Sequence, residues 1–155
     1  MASDGDCLFA ALGLELQACG VLVFDGVVDD LGHKVRALFL ALLGDLDRGG
    51  AHLVFDCPLR LWLETSSGLE YSEYLQDMQT GSAVRNASWG GFAEAHLLCI
   101  HYGCKLELYE QHCTADAQVF KLAVTGGNDT AVTVCRLVWT GTHFNALALN
   151  SVDAD

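Results

Sequence analysis

At 155 residues, with hydrophobic side chains at 52% and charged ones at 18%, the chain is long and apolar enough to close one core and is not a disordered segment. A net charge of −12 with only 8 Lys and Arg excludes the basic face that nucleic acid requires. The acidic surface suits a basic partner or simply solubility.

Mean hydropathy is +0.29, yet no run of roughly 18 apolar residues occurs, so no membrane span is expected. The start, Met1 to Asp6, is polar and acidic where a secretory signal would be basic and then apolar. A cytoplasmic-type, monomeric protein is the expectation, or one delivered into a host cell if its source is a pathogen. With one proline, no repeat and no linker, residues 1–155 read as a single domain.

Residues 7–18 keep a helical stripe through Leu8, Ala11, Leu12 and Leu16. Residues 29–47 carry a clearer one through Val35, Leu38, Phe39, Leu42, Leu43 and Leu46. Asp29 and Asp30 stand where an N-cap and first turn favour acids, and Gly49-Gly50 ends the pattern. Residues 51–68 show no clear period; His52 to Phe55 fits a short strand or a helix end. Residues 69–79 predict a short helix on Leu69, Tyr71, Tyr74, Leu75 and Met78, and 81–88 a polar loop. Residues 91–103 predict a helix that is apolar on most sides and therefore central.

Strand patterns follow. Cys104 to Glu110 alternates, as does Val119 to Val124 less cleanly; Gly126-Gly127-Asn128-Asp129 signals a turn. Ala131 to Val138 is β-branched and alternates. After Thr140-Gly141-Thr142, the run His143 to Leu149 alternates again. Helices first and strands afterwards predict an α+β fold with helices packed on a small sheet.

Seven cysteines, an odd number with no Cys-x-x-Cys spacing, in a chain too large to need staples, predict free thiols rather than disulfides or a structural zinc site. Cys19, Cys57, Cys99, Cys104, Cys113 and Cys135 are expected to be such thiols, with no metal and no cofactor. Cys7 differs. It falls at the first turn of a helix, directly after Asp4-Gly5-Asp6. A helix N-terminus favours a thiolate, and a glycine-containing turn can aim N–H groups at one point, where they would stabilise an oxyanion.

A nucleophile needs a base. His96 and His101 do not share a helix face, His33 and His52 lie near the ends of the second helix, and His112 follows a strand end. His143 begins the last strand, and Asn145 stands two residues on, on the same side of an extended chain. Asn145 could therefore hold the far ring nitrogen and fix the tautomer, as in a Cys–His–Asn arrangement.

These residues resemble the signatures of the ovarian-tumour (OTU) deubiquitinases in three ordered blocks: Asp4-Gly5-Asp6-Cys7-Leu8-Phe9; Tyr74-Leu75-Gln76-Asp77-Met78 with Trp89-Gly90-Gly91-Phe92-Ala93-Glu94; and His143-Phe144-Asn145. Together they span nearly the whole chain. The resemblance implies a papain-like cysteine-protease fold, with a small, mostly antiparallel sheet between helical layers. It also implies hydrolysis after the C-terminal Gly-Gly of ubiquitin or a relative. By position, Cys7 attacks, His143 takes its proton and Asn145 orients His143. Asp4 matches the motif acid, which in some members supports the histidine and in others braces the oxyanion loop. The backbone of Gly5, Asp6 and Cys7 would form the oxyanion hole, and Trp89, Gly90 and Gly91 would shape the groove for the tail. Rival expectations are an OTU-like viral or bacterial protease with a polyprotein or effector target, an inactive ubiquitin-binding OTU fold, and an unrelated papain-type hydrolase. The motif begins nearer the start than in most members, which points to an excised domain or an absent N-terminal element, and residues 48–68 match no family pattern.

Overall fold

The structure, a computed structural model, describes residues 6–24, 30–48, 53–80, 91–141 and 143–147. In chain order the elements are α1 (Cys7–Ala18), α2 (Leu31–Arg48), β1 (Leu53–Val54), β2 (Cys57–Pro58), α3 (Leu59–Ser67), α4 (Tyr71–Thr80), α5 (Phe92–His101), β3 (Lys105–Cys113), β4 (Gln118–Gly127), β5 (Val134–Trp139) and β6 (Phe144–Ala146). This is the α+β arrangement that the order of periodicities predicts.

The main sheet runs β4-β3-β5-β6. Its β3–β4 and β5–β6 pairs are antiparallel and its β3–β5 pair is parallel. Leu106, Cys135 and Leu137 are fully buried, whereas the alternate positions Glu107, Tyr109 and Arg136 hydrogen-bond to one another on the other face. This is the period-2 logic of a sheet with one side in the core. α1 packs on β5 and β6, and α5 on β3 and β4.

Against these helices lies α2, which buries Val35, Phe39, Leu42 and Leu43. The α1–α2 crossing is close because glycines stand at it. A Cβ on Gly32 would lie 2.8 Å from the Asp6 carbonyl oxygen, and one on Gly13 would lie 2.8 Å from Val35 Cγ2. Both approaches are shorter than real Cβ contacts permit.

The segment without a clear period, 51–68, contains two elements. β1 and β2 form a two-stranded hairpin whose central residues, Phe55 and Asp56, take positive φ of 50° and 63°. Positive φ at both central positions is the geometry of a type I′ hairpin turn. α3 follows directly, with Pro58 at its N-cap and Gly68 closing it at φ 77°. The loop expected at 81–88 lies outside the described residues. β3 and β4 run further than expected, to Cys113 and Gly127, so the turn begins only at Asn128, whose side chain accepts from Thr130 N–H.

Phe55 stacks on His96 at 4.6 Å between ring centroids, with Phe92 at 5.5 Å and Trp62 at 5.7 Å. His96 is buried, and its Nδ1 accepts the Gly127 N–H at 2.8 Å, tying α5 to the end of β4. Only a neutral ring with its proton on Nε2 can accept there. Burial holds the His96 pKa below its ordinary value of 6.5. The unfolded chain therefore takes up a proton that the folded one refuses. The stability this group contributes is complete above about pH 6.5 and is lost as the pH falls from there through the depressed folded value. His96→Gln should lower the melting temperature across the range but flatten its decline as the pH falls below about 6.5. Parallel pH profiles for the two proteins would refute this role.

Candidate active site

α1 begins at Cys7 because Asp6 is its N-cap, at φ −81° and ψ −1°, and the Asp6 carbonyl accepts the Ala10 N–H at 2.8 Å. The Asp6 side chain makes no capping hydrogen bond. It turns instead toward α2, where its carboxylate accepts from Arg36 Nε at 2.6 Å; both side chains are almost fully buried. The same guanidinium donates from Nη1 to the Met78 carbonyl at 3.3 Å, meets Met78 Sδ at 3.1 Å, and stacks over Phe9 at 4.8 Å. Removing either partner of such a buried pair leaves an uncompensated charge, an effect worth about 3–5 kcal/mol. Cys7 itself is buried, 6% exposed, at the first residue of the helix.

Three other cysteines, Cys19, Cys104 and Cys135, are poor nucleophiles for a physical reason. Cys19, Cys99, Cys104 and Cys135 lie together between the helices and the sheet. Burial first, then Cys135, pushes the Cys19 thiol up to about 11, and burial pushes Cys104 up to about 12. A hydrogen bond from Cys99, then burial, pushes Cys135 up as well. Thiols held protonated in this way do not attack at neutral pH. Cys57 is half-buried on β2 and Cys113 is exposed at the end of β3; all seven thiols are free. Among the described residues, no group of His, Cys, Asp and Glu is placed to hold a metal ion, and no helix is long and apolar enough to cross a membrane.

His143 immediately precedes β6, the strand on which the N-terminal helix packs. Its backbone is fixed by Thr140: the His143 N–H donates to Thr140 Oγ1 at 3.1 Å, and the His143 carbonyl accepts from Thr140 N–H at 3.0 Å. The ring is partly covered. Its Nδ1 is buried and has no hydrogen-bond partner among the described residues. Asn145 sits opposite Val138 in the β5–β6 register and is half-buried. Among the described residues, its side chain is not hydrogen-bonded to His143.

Gly91 caps α5, where Glu94 Oε1 accepts its N–H at 2.6 Å and Glu94 Oε2 accepts from the Tyr74 hydroxyl at 3.0 Å. Burial pushes the Glu94 carboxyl up, and burial with the nearby Glu94 pushes the Tyr74 phenol well up. These bonds join the two parts of the second block read from the sequence, Tyr74 to Met78 and Gly91 to Glu94. Asp4, Gly5, Trp89 and Gly90 lie outside the described residues. Sequence reasoning missed Arg36 and Thr140. An arginine inside the apolar stripe of residues 35–43 was the available signal for the first, and a threonine three residues before the histidine for the second.

No family model matches the chain, and no curated protein matches it in sequence. Solved structures do match in shape. The OTU of Hazara virus bound to ubiquitin superposes with a TM-score of 0.58 at 20% identity, over 94% of this chain and 76% of that one. An OTU deubiquitinase from Wolbachia pipientis wMel bound to ubiquitin gives 0.55 at 16% identity, over 92% and 88%. The OTUD1 OTU domain gives 0.56 at 15% identity, over 94% and 81%. Shape, element order and the three sequence blocks agree: this chain has the fold of the OTU domains.

Proposed function

We propose that the chain is a thiol-dependent deubiquitinase that hydrolyses peptide or isopeptide bonds after the C-terminal Gly-Gly of ubiquitin or a ubiquitin-like protein. The observation that carries this reading is the buried Nδ1 of His143, without a hydrogen-bond partner among the described residues and held just before the strand that packs on the Cys7 helix. A ring nitrogen that no described donor occupies is open to take a thiol proton.

In the proposed cycle Cys7 gives its proton to His143 Nδ1, and the thiolate attacks the carbonyl carbon of the terminal glycine. The oxyanion is received by the backbone N–H groups of Gly5, Asp6 and Cys7 at the start of α1, a helix whose N-cap side chain is turned away. His143 returns the proton to the leaving amine. Water, deprotonated by the same ring, then cleaves the thioester and restores the thiol. Asn145 orients the ring from its second nitrogen, and Asp4 braces the oxyanion turn. Trp89, Gly90 and Gly91 are assigned to shaping the groove for the tail, as the resemblance implies. The chain's net charge of −12 complements the basic tail of ubiquitin.

The test is turnover of C-terminal fluorogenic amides of ubiquitin and of ubiquitin-like modifiers, side by side. Release from at least one of them is expected. A folded protein inert toward the whole set would refute the reading.

A further inference from the structure

Resting on that reading, we infer that Arg36 is a positioning residue for the nucleophile turn: through the Asp6 carboxylate it fixes the backbone that precedes Cys7. The geometry is specific. Arg36 is 2% exposed, and its guanidinium is held from three directions: Asp6 at 2.6 Å, the Met78 carbonyl and sulfur at 3.3 and 3.1 Å, and the face of Phe9 at 4.8 Å. One side chain therefore links the residue before the nucleophile, the first turn of α1 and the last turn of α4. Gly32 lets α2 approach closely enough for this reach, because a side chain there would strike the Asp6 backbone.

Two physical consequences follow. A carboxylate adjacent to a thiolate and an oxyanion opposes both by like charge, and the guanidinium offsets it. A planar fork anchored on three sides also fixes the direction of the Asp6 carboxylate, and with it the peptide units of Asp6 and Cys7 on which the oxyanion would rest. Lysine, a point charge on a flexible stem, cannot reproduce that fork. The acid that matters here is the one directly before the cysteine, distinct from the motif acid Asp4.

The experiment compares wild type with Arg36→Lys, using a fluorogenic amide of ubiquitin at a temperature well below each protein's melting transition. Alkylation of Cys7 by iodoacetamide, located by mass spectrometry, is measured alongside. Alkylation requires the thiolate but no oxyanion hole. The expected result is a kcat lower by about 10- to 100-fold, with KM and the Cys7 alkylation rate close to wild type. Asp6→Asn, which keeps an acceptor for Arg36 Nε but removes the charge it offsets, should lose less activity than Arg36→Lys. A folded Arg36→Lys with wild-type kcat would overturn the inference, as would kcat and alkylation falling together. If Arg36→Lys does not fold, wild-type kcat in Asp6→Ala overturns it, and a selective loss of kcat there supports it. Wild-type protein that turns over no substrate removes the proposed function itself, a different outcome from an active enzyme indifferent to Arg36.

Discussion

Cys7→Ala is expected to abolish turnover, by about 10⁴-fold or more, while leaving ubiquitin binding intact. The substitution removes one sulfur at the first residue of α1 and almost no volume, so the core formed by Leu8, Phe9, Leu12 and Leu16 stays filled. Cys19 and Cys104 are held protonated to about 11 and about 12, and Cys135 is pushed up in the same cluster. Turnover by the purified variant, compared with binding of ubiquitin by titration calorimetry, checks both halves. Substantial residual hydrolysis would assign the chemistry to another cysteine.

Asn145→Ala is expected to lower turnover by about 10- to 1000-fold, the span for losing a hydrogen bond that orients a catalytic imidazole. The His143 backbone is already fixed by Thr140, so what remains free is the rotation of the ring, and Nδ1 has no partner to stop it among the described residues. The second ring nitrogen is the remaining handle, and Asn145 is two residues on, in β6. Asp4→Ala is expected to act mainly by loosening the turn before Cys7, lowering the melting temperature together with the rate. Measuring both mutants for turnover and for melting separates the roles. The assignment reverses if Asn145→Ala is near wild type while Asp4→Ala loses activity at full stability and shifts the acid limb of the pH–rate profile.

What was legible in the sequence is what local periodicity encodes. α1 and α2 keep apolar stripes that match their buried faces, and β5 alternates through Cys135, Arg136 and Leu137 as a half-buried strand does. α3 was not legible because only Leu59 and Leu63 are buried on it, while Leu61 is 53% exposed. A helix with two buried positions has no stripe to read, although the Pro58 and Gly68 at its ends were signals. The same applies to the β1–β2 hairpin, whose turn uses Phe55 and Asp56 where glycine or asparagine would have announced it. For the proposed site, cysteine, histidine and asparagine were readable as residue types in motifs. Arg36 had a signal as an arginine inside an apolar stripe, but its pairing had none, because Asp6 caps another helix and only the α1–α2 crossing brings the two together. Pairings made by tertiary packing leave no local pattern.

The most direct test of the central claim is reaction with ubiquitin carrying an electrophile in place of its C-terminal carboxylate, followed by peptide mapping of the adduct. The account predicts one covalent ubiquitin per chain, attached at Cys7, and none on Cys7→Ala. An adduct on another cysteine, such as the exposed Cys113, or a folded wild-type chain that forms none, would contradict it.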